Sequence, residues 1–415
     1  MTGSQTNSIY GDGTPYNNWA HGEETDLTAD LLDDKAMPYK DGSSIDWMYE
    51  EAIERAHKQR LKSQPGLRGL LMPIMETWRL WTVLILTGIF VGYTGGTLDV
   101  LVAWLSDLRM GLCTYGYLYN QAACCSGLDA GEVCGEWVTW SERFGIQSTA
   151  GQALVQCFVY VTLAVGFATS AAALVQFYAP YAFHTGIPEI KAILSGYVLD
   201  EFLSPWTLLI KALGLALAVA SGLSLGKEGP LVHVSCCAAS LFLSLLGPKS
   251  KDGISGRSQN ESQRRKTLAA AATAGVAVAF GSPLGGVLFG LEELDSTLFS
   301  NEQLMWRAFV TSAVAATTLS YVDPFGIGKL VLFQVTTSQQ WRQFELVPWL
   351  GLGVAGGLIG ALLIKLNVQV AIWRRHGPWS HIPLFEVAVV SAATAIISWP
   401  ASSFFLPQQT HQDAK

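Results

Sequence analysis

The sequence predicts an all-α, multi-pass membrane protein in which some helices are broken or re-entrant. Half of the 415 residues are hydrophobic and only 14% are charged. In a soluble domain about a quarter of all residues are charged. Long apolar stretches recur along the chain, and turns with glycine and proline interrupt them. A bilayer can hold such a chain, because helices satisfy their own backbone hydrogen bonds in lipid.

Residues 1–72 form the expected cytosolic N-terminal region. This stretch is polar and lacks the hydrophobic core of a signal peptide, so the first apolar run is expected to act as the signal. The net charge of −7 argues against nucleic acid as a partner. The sequence from Asp46 to Leu61 could form one amphipathic helix on the membrane surface, with a basic end before the first span.

Residues 73–400 form the expected transmembrane domain, and residues 401–415 form a polar tail. Some apolar runs are long enough to cross a bilayer, and others are too short. The short runs are expected to be re-entrant, since backbone at membrane depth must be buried in protein or line a cavity. The predicted apolar segments are 80–105, 154–177, 206–225, 231–246, 268–280, 283–291, 308–321, 346–373 and 382–400.

Basic residues predict which side of the membrane is cytosolic. Lysine and arginine cluster before Leu80, between Lys249 and Lys266, and at Arg374 and Arg375. The positive-inside rule places all three clusters in the cytosol. The polar loop between the first two long runs then faces outward or into an organelle lumen.

This polar loop holds four of the seven cysteines. In an oxidising compartment the four could pair as disulfides. Their spacing fits no zinc pattern well, so structural disulfides are favoured over a metal site, and no cofactor is expected. The loop cysteines are Cys113, Cys124, Cys125 and Cys134, whereas Cys157, Cys236 and Cys237 lie in apolar stretches and are expected to be small buried residues.

Three turns share one composition. Each contains glycine and a proline suited to the first turn of a helix, and an apolar stretch follows. Each is expected to start a helix inside the protein, where free N–H groups and about half a positive charge form an anion site without a fixed cation. The alternative is that the turns only separate spans. The turns are 184–189, 226–230 and 281–286.

Ionisable residues near these turns are candidate functional groups. Glu228 could occupy the anion site until protonation releases it, or could merely stabilise the helix dipole. Glu292 and Glu293 end an apolar helix and could take protons from the cytosol, or could be solvated end charges. Lys211 lies deep in a span and should pair with a carbonyl or carboxylate, or leave a cation near the anion path. Asp99 is expected to be a polar break or an inter-helix contact.

These motifs resemble those of the CLC family of chloride channels and chloride/proton exchangers. HTGIPE (184–189) resembles the family's GSGIPE, GKEGP (226–230) is its gating-glutamate pattern, and GSPLGGVLFGLEEL (281–294) resembles the helix ending in its proton glutamate. The similarity continues through DPFGIGKLVLFQV (323–335) and FELVPW (344–349), and it covers nearly everything from 78 to 400. The cysteine loop and SGLSLGKEGPLVHVSCC (221–237) resemble the intracellular exchanger branch, including fungal members.

The resemblance implies chloride transport, by a chloride/proton exchanger or alternatively by a gated chloride channel. Glu228 would be the external gate. Glu293 would be the internal proton acceptor, and its presence favours an exchanger because family channels lack a glutamate there. Thr185 would contact the central chloride through its hydroxyl. The wider expected chloride-binding set is Thr185, Gly186, Ile187, Pro188, Gly226, Lys227, Gly229 and Pro230, supported by Lys211, Ser282 and Glu292.

The chain departs from the family pattern in two ways. The family's Gly-Ser is His184-Thr185 here, and the added methyl of Thr185 leaves the anion preference open. Family members also carry a second, inverted half and, in most eukaryotes, a pair of CBS domains. This chain is expected to hold the first half of the repeat and the start of the second, without CBS domains. An alternative function is therefore a truncated, non-transporting product that pairs with a full-length subunit.

The resemblance also implies the protein's surroundings. The expected partners are the lipid bilayer, the transported chloride and protons, and a second copy of the chain or a full-length family member. The expected location is an endosomal, Golgi or vacuolar membrane, with the plasma membrane as an alternative. The chain is expected to be a transporter and not an enzyme.

Overall fold

A computed structural model describes residues 39, 41–63, 65–125, 134–247, 261–294, 302–322, 342–377 and 381–404. Regular structure in these ranges is almost entirely helical, apart from one small two-stranded sheet. Four of the described helices are long and apolar enough to cross a membrane: Gly69–Met110, Thr149–Tyr178, Glu228–Leu246 and Gln343–His376. The predicted all-α, multi-pass membrane fold is confirmed.

The helices follow one another with short connections. In chain order they are α1 (Trp47–Lys62), α2 (Leu67–Met110), α3 (Gln121–Cys124), α4 (Trp140–Arg143), α5 (Thr149–Tyr178), α6 (Ile187–Ser195), α7 (Pro205–Ala220), α8 (Glu228–Leu246), α9 (Glu261–Phe280), α10 (Pro283–Phe289), α11 (Glu302–Val322), α12 (Leu346–His376) and α13 (Pro383–Phe404). Strands β1 (Gly111–Cys113) and β2 (Trp137–Thr139) pair antiparallel between α2 and α4.

The core is built around α8 and α9. These helices pack against each other, and α2 and α11 pack around them. Every residue of α9 from Thr267 to Ala279 is buried, and its run of alanines lets neighbouring helices approach closely. Separately, α5 packs against α7 and α13. Helix α12 has no buried residue, so its apolar side chains face outward along its whole length.

Two short helices interrupt the spans: α10 lies at the predicted short run 283–291, whereas α6 follows the turn 184–189, where no separate apolar run was predicted. The runs 231–246 and 268–280 were also expected to be too short to cross, but they belong to helices of 19 and 20 residues. Helix α6 has 9 residues and α10 has 7 residues, which is far fewer than the roughly 20 needed to cross a bilayer. A π-helical turn, Gly290–Leu294, continues α10. In a π-helical turn each backbone hydrogen bond joins residues five apart instead of four, which changes the direction of the side chains that follow.

The predicted surface helix corresponds to α1, which begins after Asp46. The Asp46 side chain caps it by accepting hydrogen bonds from the N–H groups of Met48 and Tyr49. The helix packs against α2 and α9, and Trp47 Nε1 donates to the carbonyl of Ser195, the last residue of α6, at 3.2 Å. The N-terminal region therefore contacts three helices of the transmembrane domain, α2, α6 and α9.

Several predicted segments differ in extent from the helices observed. The first run was expected at 80–105 and belongs to the longer α2, Leu67–Met110, because polar ends remain helical beyond the apolar centre. The other boundaries agree within a few residues, except that α9 and α11 also extend into polar sequence at their starts. The stretch 323–335, much of the basic cluster at 249–266 and the tail from 405 onward lie outside the described residues.

Candidate functional site

The first turns of α6 and α8 lie against each other. A Cβ atom on Gly229, in the first turn of α8, would lie 2.7 Å from Thr185 Cβ. Gly186, with φ +96°, approaches α8 equally closely, because a Cβ atom there would lie 2.8 Å from His233 Cβ. Only glycine permits both approaches. Two of the three predicted helix starts therefore meet at a junction formed by Thr185, Gly186 and Gly229.

Neither helix start at this junction is capped by a side chain. The N-cap residues Gly186 and Lys227 form no side-chain cap hydrogen bond. Pro188 and Pro230 lie in the first turns, where the missing N–H of proline removes no helical hydrogen bond. The remaining first-turn N–H groups, including that of Ile187, and the positive ends of two helix dipoles are the elements of an anion site.

The third predicted turn is built differently. At the start of α10, Ser282 Oγ accepts a hydrogen bond from Gly285 N at 3.2 Å, so a side chain already occupies one donor. Gly286 packs tightly on α9, since a Cβ atom there would lie 2.4 Å from the carbonyl oxygen of Thr273. The described contacts of α10 are thus with α9, and also with α11. The observed junction is formed by α6 and α8.

Lys211 fixes the segment that leads into the junction. This lysine of α7 is only 5% exposed. Its Nζ donates to the carbonyl of Ala182 at 2.7 Å and also to the carbonyl of His184. The sequence left a carbonyl and a carboxylate open as partners, and the structure places two carbonyls there. The ammonium holds the backbone immediately before Thr185 in place.

His184 adopts a backbone conformation that favours glycine. In the described part of the chain, His184 is the only non-glycine residue with a positive φ, which is +63°. The imidazole is exposed and lies 4.0 Å from the Phe183 ring, centroid to centroid. The position where the family carries glycine therefore keeps a glycine-like backbone although a side chain is present.

The Glu228 carboxylate folds back over the turn that precedes it. A Cβ atom on Gly226 would lie 2.2 Å from Glu228 Oε2. The side chain is half-buried, and none of the described residues donates a hydrogen bond to it. Because no hydrogen bond from a described residue fixes it, the carboxylate at this helix start can rotate toward or away from the junction.

Lys227 is paired with a distant helix. Its Nζ lies 2.8 Å and 2.9 Å from the two carboxylate oxygens of Asp99, in the C-terminal third of α2. Asp99 is thus an inter-helix contact, one of the two roles expected for it. The lysine charge is compensated by Asp99, so an anion at the junction would meet backbone N–H groups and not a free ammonium.

The second carboxylate pair lies on the π-helical turn after α10. Glu293 Oε2 is 2.7 Å from Nζ of Lys191, and Lys191 lies on α6 about one turn after Gly186. Both side chains are close to half exposed, at 47% and 41%. Glu292 is exposed. The Lys191 ammonium therefore links Glu293, the glutamate expected to accept protons, to α6, the helix that starts at the junction.

Sequence reasoning missed His233 and Lys191. His233 is fully buried on α8, its ring stacks on Phe202 at 3.8 Å, and its Nε2 lies 2.8 Å from the Phe202 carbonyl. Since a carbonyl only accepts, Nε2 carries the proton, and Nδ1 has no hydrogen-bond partner among the described residues. The signal for His233 was a lone histidine in an apolar run. The signal for Lys191 was a lysine two residues after the HTGIPE motif.

The polar loop is a hairpin with two disulfides, Cys113–Cys124 and Cys125–Cys134. Sulfur atoms of Cys124, Cys125 and Cys134 lie within 4.8 Å of one another. Each is already bonded to another sulfur, which leaves no thiolate to bind a metal. Of the other cysteines, Cys236 and Cys237 are buried and Cys157 is half-buried.

Comparison with known proteins identifies related sequences. The sequence model of the family described as "Voltage gated chloride channel" matches residues 165–413. The human H(+)/Cl(-) exchange transporter 3 is 39% identical over 417 residues, which cover 96% of this chain and 50% of that protein. The human H(+)/Cl(-) exchange transporter 5 is 40% identical over 370 residues, which cover 87% and 44%. The chain spans about half the length of the curated relatives it matches.

Two solved structures share the fold. A eukaryotic CLC transporter matches with a TM-score of 0.58 at 24% sequence identity, over 79% of this chain and 50% of that one. A slow cyanobacterial Cl-/H+ antiporter matches with a TM-score of 0.58 at 18% identity, over 77% and 64%. At these identities the likeness concerns the arrangement of helices.

Proposed function

Because the chain belongs to the voltage gated chloride channel family, we propose that it supplies the anion-binding and proton-handling elements of a chloride/proton exchanger. The observation that carries the proposal is the junction of two uncapped helix starts beside a carboxylate that no described residue holds by a hydrogen bond. The curated relatives named above are exchange transporters by name, which agrees with this function.

Chloride would bind at the junction through backbone N–H groups and the Thr185 hydroxyl. The nearby ammonium groups of Lys211 and Lys227 are engaged with backbone carbonyls and Asp99. Partial charges at helix ends therefore provide the attraction. An anion held without a full positive charge can leave again, which a transport cycle requires. Thr185 would form one wall of the site, because it lies against Gly229.

Glu228 would act as the gate. Its carboxylate is an anion at the end of α8 and so competes with chloride for the same helix end. Protonation removes the negative charge, the side chain leaves, and chloride enters. Deprotonation returns the carboxylate to the helix end and displaces chloride. Chloride movement is thereby linked to the protonation state of Glu228. This competition needs the rotational freedom that the space above Gly226 provides.

Glu293 would pass protons to and from the opposite side. Its carboxylate is accessible and is oriented by Lys191. The alternative within transport is a gated chloride channel, in which Glu293 would have no role in turnover. The exchanger is favoured because two separate carboxylates lie near α6. Glu228, at the start of α8, lies near the start of α6, and Glu293 pairs with Lys191 of α6.

The expected partners and location extend this proposal. The disulfide hairpin supports an oxidising compartment on its side of the membrane, as the lumen of an endosome, Golgi cisterna or vacuole, or the cell exterior. A second copy of the chain or a full-length family member is the proposed protein partner. The exposed apolar side chains of α12 need lipid or protein to cover them.

The test is flux in proteoliposomes that contain the 415-residue chain. Chloride efflux and proton movement are measured together, in wild type, Glu228→Gln and the control Glu292→Gln. The proposal expects coupled movement in wild type and in the control, and chloride movement without protons in Glu228→Gln. Absence of flux from the wild type contradicts it. A chain without flux of its own that alters the flux of a co-reconstituted full-length family member would support the non-transporting alternative.

A further inference from the structure

Arg109 is a buried cation in the last turn of α2. It is 6% exposed. Its Nη1 donates to the Ser221 carbonyl at 2.9 Å, its Nη2 donates to Ser106 Oγ at 3.0 Å, and its guanidinium carbon lies 4.8 Å from the centre of the Tyr160 ring. Among the described residues, no carboxylate forms an ion pair with it and its Nε has no hydrogen-bond partner.

This environment does not explain Arg109 as a stabilising residue. A buried cation pays a desolvation penalty, and the Asp107 carboxylate attracts the guanidinium without forming an ion pair with it, so an apolar side chain of similar volume would often stabilise such a site better. The contacts instead fix a position. Ser221 is the C-cap of α7 and begins the segment that leads through Lys227 to Glu228.

Gly222 brings this segment into direct contact with the guanidinium. With φ +83°, a Cβ atom on Gly222 would lie 2.3 Å from Arg109 Nη1, so the guanidinium lies against the backbone itself. The other end of the segment is held by the Lys227–Asp99 ion pair. Asp99 and Arg109 both belong to α2, about 15 Å apart along its axis.

We propose that Arg109 is a positioning residue for the Glu228 gate. Its contacts with Ser221 and Gly222 fix the segment 221–227 at the end opposite to Lys227. Because Asp99 and Arg109 both lie on α2, this helix then determines where α8 begins. The position of Glu228 relative to Thr185 then depends on two side chains of α2. The effect on transport rests on the proposed function, whereas the effect on the segment does not.

The position of Arg109 is itself defined by its neighbours along the chain. The Leu108 carbonyl accepts a hydrogen bond from Trp140 Nε1 at 2.9 Å, and the Met110 carbonyl accepts one from Gln156 Nε2. Both residues adjoining Arg109 are thus tied to α4 and α5. The guanidinium is consequently presented to Ser221 from a fixed backbone.

Two substitutions test these contacts of Arg109 from opposite sides. Arg109→Lys keeps the charge and loses the planar fork that reaches Ser106 and Ser221 together. Gly222→Ala places a methyl group where Arg109 Nη1 lies. Gly145→Ala is the matched control, because Gly145 has a similar φ of +71° with nothing within 4 Å of the added Cβ atom. It carries the same backbone strain without the contact.

Hydrogen exchange of the backbone amides in 221–228 is measured first, followed by the chloride-to-proton flux ratio. Arg109→Lys and Gly222→Ala should each speed amide exchange in this segment by about tenfold, the equivalent of one charge-assisted hydrogen bond, and should change the flux ratio. Gly145→Ala should change neither. If Arg109→Lys does not fold, Ser106→Ala removes one guanidinium partner with a smaller perturbation and carries the same expectation.

The outcomes separate the two levels of the proposal. Lower thermal stability with unchanged exchange in 221–228 for both variants would make Arg109 merely structural and overturn the inference. Faster exchange with an unchanged flux ratio would overturn its role at the gate. Absence of flux in the wild type would contradict the proposed function, and the exchange rates would then decide whether Arg109 positions the segment.

Discussion

The Glu228 carboxylate occupies the space that a side chain on Gly226 would fill. A Cβ atom on Gly226 would come within 2.2 Å of Glu228 Oε2, well inside van der Waals contact. The first glycine of the Gly-Lys-Glu-Gly-Pro turn therefore leaves a resting place for the carboxylate, and the second, Gly229, lets Thr185 approach α8. One turn thus provides both the place for Glu228, the proposed gate, and the close approach of Thr185, the proposed wall of the site.

Gly226→Ala should remove this resting place. We expect the carboxylate to be displaced, so that chloride efflux depends less on pH than in wild type. The loss of proton coupling should be partial, because Glu228 itself remains. The measurement is chloride efflux from proteoliposomes as a function of pH. Gly166→Ala on α5 is the control, since a Cβ atom there meets nothing within 4 Å; equal pH dependence in both variants would contradict the prediction.

Glu293→Gln should strongly reduce proton movement and leave chloride movement. The amide keeps the shape of the side chain but cannot carry the proton. We expect proton flux to fall by about a hundredfold, the lower part of what a positioned proton-transfer group contributes, while chloride flux stays within about a factor of a few. Glu292→Gln, one residue away and exposed, is the control. Proton flux that persists in Glu293→Gln would exclude this carboxylate as the acceptor.

The four hairpin cysteines should resist labelling until they are reduced. A membrane-impermeant maleimide is applied from each side in a Cys157→Ser background, because Cys157 is half-buried and could contribute signal. We expect labelling only after reduction and only from the side opposite the cytosol. Loops of 11 and 9 residues correspond to about 2–3 kcal/mol of stability per disulfide, so reduction should also lower the melting temperature. Cytosolic labelling without reduction would refute the predicted side and pairing.

Docking of α1 should weaken in acid through Glu54. Burial alone would raise the pKa of Glu54, but hydrogen bonds and charge from Lys58 and Lys266, with a hydrogen bond from Ser262, outweigh burial and lower the pKa to about 2. Because the folded pKa lies below the unfolded pKa of 4.5, this contribution is present above pH 4.5 and is lost as the pH falls toward 2.

Thermal unfolding as a function of pH measures this contribution. Glu54→Gln should lower the stability at neutral pH by about 1–3 kcal/mol, typical of a lost hydrogen bond to a charged group, and the difference from wild type should vanish toward pH 2. The difference is the informative quantity, because burial raises the pKa of neighbouring Glu50 and gives it the opposite pH trend. Glu51→Gln, exposed on the same helix, should show no such difference.

The helix starts could be predicted because their determinants are local. Proline in the first turn and glycine before it specify where α6 and α8 begin, and the Asp46 cap does the same for α1. Which starts would meet could not be predicted in this way. The sequence gives the turn at Ser282 the same composition as the other two, yet its hydroxyl caps α10 and the helix packs on α9.

Side-chain partners far apart in sequence were also beyond local reasoning. Lys191 and Glu293 are separated by 102 positions, and Arg109 and the Ser221 carbonyl by 112. No periodicity links such residues, since tertiary packing alone brings them together. Lys227 shows the same limit, because its motif predicted a role at the anion site and only the fold reveals Asp99 as the partner of its ammonium.

The length of α2 makes bilayer thickness a variable for the proposed Glu228 gate. A helix of 44 residues is about 66 Å long, whereas a bilayer with its headgroups is about 40–45 Å thick. The helix must tilt or protrude, and its tilt changes with the thickness of the surrounding lipid. Since Asp99 and Arg109 move with α2, a thicker or thinner membrane would shift both anchors of the segment before Glu228. Under the proposed gating by Glu228, transport would then differ between membranes whose sterol content differs, without any change in the protein.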